Sequence, residues 1–257
     1  MIVLGIETAT AACGVALVGA DGLLGTIQIA ARLVHSERLV PMIDALFAES
    51  GVRRTDLQGV AVSQGPGSFT GLRIGVATAK AIALALGLPV VGVPTLAALA
   101  ANAGPAAGLV WPALVAKRDE VYGAVYAGGE EPRPLGESWA CSPDELLARA
   151  AAVSAANGAK DAAVWLVGDA YLRFAAATGS GEPSEGTGFA GAAEAAGAGR
   201  RLIRLGPDAA LPQAATVARL GRAALLRGAG QDPAALVPLY VRRPQAEIIW
   251  DSAREKR

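Results

Sequence analysis

Apolar and polar positions along the first hundred residues switch between two periods. Residues 2–6 of "MIVLGIET" form an unbroken apolar run, as expected of a strand covered on both faces. "CGVALVGADGLLGTIQIA" adds two strand-like runs around "GADG", a hairpin signal. From Ser36 to Ser50, "SERLVPMIDALFAES" repeats at helical spacing, with Ser36 placed to cap and Gly51 to stop it. Pro41 must sit near the helix start or kink the helix. "GVAVS" (59–63) then predicts a strand, "GLRIGVATAKAIALALG" (71–87) a helix, "LPVVGV" a strand and "TLAALAANA" a helix. This β-β-β-α-β-α-β-α order belongs to the α/β class.

After "NAGPAAG" the pattern restarts. "LVWPALVA" and "EVYGAVYA" predict strands, "SPDELLARAAAV" a helix capped by Ser142, and "AVWLVGDA" another strand. The chain is therefore expected to divide into an N-terminal α/β lobe, 1–104, and a C-terminal α/β lobe, 105–257. Residues 178–199 are poor in large apolar groups and are expected to form a flexible insertion. A helix over 211–228 is free to pack back on the first lobe, and the tail "PLYVRRPQAEIIWDSAREKR" has no regular period.

Composition narrows the function classes. Among 257 residues, 23 Lys and Arg balance 23 Asp and Glu, without a long basic run, so the chain lacks the footprint of a protein that grips nucleic acid alone. Cys13 and Cys141 lie in apolar or small-residue surroundings and read as two free thiols of a reducing compartment. The opening run carries Glu7 and no basic leader, and the uncharged stretch 81–116 is broken by Pro89, Pro94, Pro105 and Pro112. A soluble, cytoplasmic protein without a membrane span is expected.

"SQGPGSFTGLRIG" (63–75) raises the question of a phosphate loop. A Walker loop needs Lys directly after its last glycine, where Leu72 stands; the dinucleotide pattern needs a third glycine where Thr70 stands. Two readings stay open: an anion on the amides near Gly71, or a strand-to-helix corner. In the helix that follows, Arg73 and Lys80 share one narrow stripe, and Gly75, Ala79 and Ala83 form a stripe of small residues. In the helix 36–50, apolar residues cover an arc of about 160°, wider than the roughly 100° that docks a helix on one core. Such breadth means either deep burial in one chain or an apolar face for a partner's helices.

Catalytic groups are scarce. His35 is the sole histidine, so a two-histidine metal site or a histidine relay is difficult to assemble, and adjacent His35 and Ser36 rarely aim at each other. Glu7 with Thr8 and Thr10, and Asp169 in "LVGDA", are candidate carboxylate sites or turn caps. "KRDEVYGAVY" (117–126) places mixed charge before a strand.

Together, "VLGIETATAACGVALV", "HSERLVPMIDALFAESG", "VAVSQGPGSFTGLRIGVATAKAIALALGLPVVGVPTLAALA", "KRDEVYGAVY" and "PLYVRRP" resemble the TsaB family, also called YeaZ. The resemblance implies a reduced, two-lobed actin/sugar-kinase/Hsp70-like (ribonuclease H-like) fold. It also implies a non-catalytic subunit required for threonylcarbamoyl transfer to the adenosine beside the anticodon of ANN-reading tRNAs. The implied partners are the catalytic relative TsaD, as a heterodimer, and the ATPase TsaE; alone, a homodimer is expected. Contact with tRNA is expected only through the complex, with no cofactor and no metal.

The implied partner interface is Leu39, Val40, Ile43, Leu46 and Phe47 on one helix and Leu72, Gly75, Val76, Ala79 and Ala83 on the other. Glu7, Thr8, Gly65, Gly67 and Ser68 mark a candidate vestigial nucleotide site. This sequence departs from the family in Glu7 where aspartate is frequent, in Lys117 where arginine is frequent, and in the Ala/Gly-rich stretch 178–199. A free-standing ATPase or phosphotransferase of the same fold is the alternative, motivated by Glu7, the glycine loop and Asp169. A peptidase, the third reading, is disfavoured by the shortage of histidine.

Overall fold

The computed structural model describes residues 1–30, 35–105, 107–117, 119–158, 162–173 and 201–241. The expected insertion 178–199 and the tail beyond 241 lie outside the described residues, as does the side chain of His35.

The chain opens with β1 (Val3–Glu7), β2 (Ala12–Gly19) and β3 (Gly22–Ala30), then α1 (His35–Ser50), β4 (Gly59–Gly65), α2 (Phe69–Leu86), β5 (Val90–Pro94) and α3 (Thr95–Ala100). Its second half adds β6 (Leu109–Val115), β7 (Val121–Gly123), β8 (Tyr126–Ala127), β9 (Arg133–Pro134), β10 (Trp139–Cys141) and α4 (Pro143–Ala156). It continues with β11 (Val164–Val167), α5 (Asp169–Arg173), β12 (Leu202–Arg204) and α6 (Ala214–Leu226).

The first sheet has strand order β3-β2-β1-β4-β5, antiparallel on the β2 and β3 side and parallel on the β4 and β5 side. The main path of the second sheet, β10-β7-β6-β11-β12, repeats that arrangement, with β8 and β9 branching from β6. Two sheets of one plan are the expected ribonuclease H-like architecture. The single strand expected over "EVYGAVYA" is broken into β7 and β8, and these pair with different parts of β6.

Every residue of β1 is buried, so both of its faces need cover. Leu4 and Ile6 pack with α1 and α2 on one face, in a cluster that includes Leu39, Ile43, Phe47, Val76 and Ala79. Val3 and Ala61 pack on the other face with Val217 and Leu220 of α6. Helix α6 comes so close that a Cβ added to Gly5 would lie 2.6 Å from the carbonyl oxygen of Ala214 and from Ala218. Gln28 fixes the start of that helix, accepting from the Ala214 amide at 2.9 Å and donating to the Pro212 carbonyl at 3.3 Å. The Arg222 guanidinium donates to the Met1 carbonyl at 2.9 Å.

Local signals account for most boundaries. Ala20 and Asp21 form the two-residue connection between paired Gly19 and Gly22. Ser142 caps α4, and Ser68 caps α2 by accepting from the Gly71 amide. Ser36 is not the cap of α1, because the helix already includes His35. Pro41 is accommodated within the helix, where it forfeits a single bond to the first turn. Among the described residues α2 is the one helix long and apolar enough to cross a membrane by length and composition. Its Leu72, Val76, Ala79 and Ala83 are nevertheless buried inside this chain.

Replacing Gly5 by alanine forces α6 off the sheet. Gly5→Ala is expected to lower stability by about 1–3 kcal/mol, read as a reduced urea midpoint.

Candidate functional site

Glu7 ends β1 at the point where β1 and β4 diverge. Its carboxylate accepts hydrogen bonds from the Ala9 amide at 2.7 Å and from the Ser63 hydroxyl on β4. Thr8, next in sequence, donates from its hydroxyl to the Gly71 carbonyl at 2.8 Å, tying the end of β1 to the first turn of α2. Glu7, Thr8 and Ser63 are all buried. The glycine loop lies directly against this end of β1: the Ser68 amide donates to the Ala9 carbonyl at 2.7 Å, and any Cβ on Gly67 would collide with Ala9. Gly65, with φ 125°, makes the turn out of β4, its amide donating to the Thr95 hydroxyl at 3.1 Å.

The structure thus gathers Glu7, Thr8, Gly67 and Ser68 of the candidate nucleotide site around Ala9 and Gly71, with Gly65 beside Thr95 at the end of β4. Burial pushes the Glu7 carboxyl up to about 7, partly offset by its hydrogen bonds to Ser63 and Ala9. A buried carboxyl inside a closed hydrogen-bond set is equipped to hold a strand end and a loop together. With no exposure to solvent, it presents no oxygen to a phosphate or a cation outside.

Asp169 begins α5, and its Oδ1 accepts from the Val115 amide at 2.8 Å. Burial raises its pKa, while backbone donors at Val115 and Ala170 oppose the shift. It joins the end of β6 to a helix start, a structural task. Beside the mixed charges, the Ala116 amide donates to the Glu120 carbonyl and the Glu120 amide to the Lys117 carbonyl. Cys13 and Cys141 are buried and unpaired. Among the described residues no group of three or more His, Cys, Asp or Glu side chains is arranged to hold a metal ion.

The ten residues read as a partner interface require a correction. Leu39, Ile43, Leu46, Phe47, Leu72, Gly75, Val76, Ala79 and Ala83 are buried within the single chain, and Val40, 53% exposed, is the exception. The wide apolar arcs of α1 and α2 reflect two coverings at once: each helix lies on the first sheet and beside the other. The outward residues are instead Val40, Pro41, Ala45 and Ala48 on α1, and Ala77, Ala81, Leu84 and Ala85 on α2. Those on α1 share its exposed side with the charged residues Glu37, Arg38, Asp44 and Glu49.

One element escaped the sequence reading. Residues 231–241, part of them read as irregular tail, form a strap along the outside of α2 and the glycine loop. The Leu239 amide donates to the Gln64 carbonyl at 2.7 Å, and the Gln64 side chain returns a bond to the Val237 carbonyl at 2.7 Å. Lys80 donates to the carbonyls of Ala234 and Leu236 at 3.2 and 3.1 Å. Arg73 stacks 3.8 Å from the Phe69 ring centroid and donates to the Tyr240 hydroxyl. The Arg73–Lys80 stripe was the available signal: two cations on one line of an otherwise apolar helix imply a common acceptor.

The family model for TsaD, described as tRNA N6-adenosine threonylcarbamoyltransferase, matches residues 27–250. The TsaB protein of Escherichia coli, a tRNA threonylcarbamoyladenosine biosynthesis protein, is 39% identical over 132 residues, covering 51% of this chain and 57% of that one. The Bacillus subtilis TsaB protein is 36% identical over 49% of this chain and 55% of its own length. YeaZ from Pseudomonas aeruginosa superposes with a TM-score of 0.69 at 28% identity, covering 93% of this chain and 99% of that chain. The chain belongs to the TsaD-related family, in its TsaB (YeaZ) branch. Its matched stretch spans just over half the length of these two curated TsaB relatives. The P. aeruginosa likeness, by contrast, runs through both sheets.

Glu7 makes stability depend on pH in a defined direction. The folded chain keeps that proton up to about pH 7, whereas an ordinary carboxyl releases it near 4.5, so stability falls as pH rises between these values. Glu7→Gln keeps the amide acceptor and removes the charge. Urea unfolding at pH 5 and pH 8 is expected to show the variant gaining on the parent at the higher pH, by up to about 3 kcal/mol.

Proposed function

We propose that this TsaB-branch chain is a non-catalytic subunit for threonylcarbamoyl transfer to the adenosine beside the anticodon of ANN-reading tRNAs. It acts by binding TsaD and activating it. The observation that carries this reading is the outward surface of α1 and α2, where Val40 and Ala45 face solvent between the exposed charges Glu37, Arg38, Asp44 and Glu49, and Ala77, Ala81 and Leu84 continue the surface on α2 with Arg73 as its exposed charge. Small side chains let a second pair of helices approach closely, and apolar ones reward the burial. The printed names of the TsaB relatives support the pathway, and the match to the TsaD model supports a partner of related fold.

The arrangement around Glu7 favours a binding subunit over a free-standing ATPase, because that carboxyl is fully buried and bonded to Ala9 and Ser63. We further assign the chain to the cytoplasm, with TsaE as an additional partner, tRNA contacted through the complex, and the same helix surface available for homodimers when TsaD is absent. The lobes divide at residue 104, with α6 serving the first lobe although it follows the second in sequence.

The test is co-elution of the purified chain with its cognate TsaD. A stoichiometric complex is expected, and Ala81→Arg is expected to abolish it without changing the melting temperature. Charge at buried Ala79 or Ile43 is expected instead to unfold the chain, since an unpaired buried charge costs several kcal/mol. Failure to co-elute, or modification of tRNA by this chain unaided, overturns the proposal.

A further inference from the structure

We propose that the two sheets are joined as one rigid body, so that the chain has no hinge on which its halves open and close. Two packed units of one chain move against each other by default, unless the contact between them is large and apolar. Here the contact is an apolar core. A single cluster runs from Val93 of β5, through Leu96 and Leu99 of α3 and Leu220 of α6, to Val110 of β6 and Val167 of β11. All six residues of α3 are buried, and the helix lies against β4 and β5 of the first sheet and β6 of the second. It has no side left to face water.

The connections between the sheets are fixed as well. Among the described residues the chain crosses twice, forward between α3 and β6 and back between β12 and α6. A hinge needs crossing residues whose backbone angles are free to change. In the forward crossing Ala107 is buried, and its carbonyl oxygen lies 2.1 Å from where a Cβ on Gly128 would stand. In the return crossing Ala210 is buried, and the Leu205 amide donates to the Leu166 carbonyl at 3.0 Å. Asn102, just before the forward crossing, ties it to the return: its Nδ2 donates to the carbonyls of Ala209 and Leu211 at 3.1 and 2.9 Å. Both amide hydrogens of one side chain are used. An opening motion would break these bonds and bring water into the shared core.

A body of this kind does not close around a ligand. It acts as a bracket, holding the outward surface of α1 and α2 and the whole second sheet in one fixed arrangement. Any partner seated on those helices therefore meets the second half of the chain in a single orientation. The inference concerns the free chain and does not rest on the assignment of TsaD as partner.

Two measurements on the full chain test the proposal. Nitroxide labels are placed on the double variant Thr55→Cys, Ala148→Cys, whose exposed positions belong to the two halves, while Cys13 and Cys141 are buried. The labelled chain is diluted with unlabelled chain, so that pairs within one molecule dominate even where homodimers form. One narrow distance distribution is expected, unchanged by Mg-ATP; a broad or two-peaked distribution, or a shift with Mg-ATP, overturns the rigid joint. In urea, Trp111, Trp139 and Trp165 report the second sheet by fluorescence in a Trp250→Phe background, and alkylation of Cys13, read by peptide mass, reports the first. The two midpoints are expected to coincide, and Gly5→Ala, a change in the first sheet, to lower both equally. A fluorescence midpoint that stays in place while Cys13 opens earlier overturns the proposal. The spin labels decide the question even if Gly5→Ala fails to fold. Loss of TsaD co-elution alone sinks the proposed function and leaves the rigid joint standing.

Discussion

Strand β1 has no face that can meet water. Val3 and Gly5 face one side of the sheet and Leu4 and Ile6 the other, so helices must cover both. On one side α1 and α2 follow soon after in sequence. On the other, cover comes from α6, more than two hundred residues later, and the fit is close enough to require glycine at position 5. The chain must therefore return from its second sheet to complete its first. Non-local closure of this kind makes the two halves depend on each other for stability.

That return also accounts for the strap. Once α6 lies on the first sheet, the chain emerges beside β5 and α2, where Leu236 enters the core and Gln231 pairs with β5. Lys80 and Arg73 then hold the following residues against the helix. Helix α2 and the glycine loop are thus fixed from both sides, by the strap outside and by Thr8 and Ala9 inside. A loop held so tightly works as a corner. Glu7 links the end of β1 to β4 through Ser63 and keeps its proton to about pH 7.

The helix surfaces illustrate how burial and function separate. Broad apolar arcs on α1 and α2 are consistent with an interface in a helical wheel, and most of the arc is spent inside the monomer. What remains outside is alanine, proline, a few larger apolar residues such as Val40 and Leu84, and the charges Glu37, Arg38, Asp44, Glu49 and Arg73. A helix wheel registers which residues are apolar, not how many neighbours share them. Two helices side by side on a sheet each bury a second flank, so the residues left for a partner are the small ones between the arcs.

Much was legible from local pattern. Strand and helix order in the first half, the two-residue hairpin at Ala20 and Asp21, and the cap at Ser142 follow from short-range backbone chemistry, which operates within a few residues. The glycine loop was recognisable for the same reason, and so was the scarcity of catalytic groups. Tertiary structure alone decided that α6 closes the first sheet, that residues 231–241 strap α2, and that Glu7 is sealed. It also decided which apolar residues face outward. Each of these depends on contacts between distant parts of the chain, and local periodicity carries no information about which distant surface arrives to cover a given face.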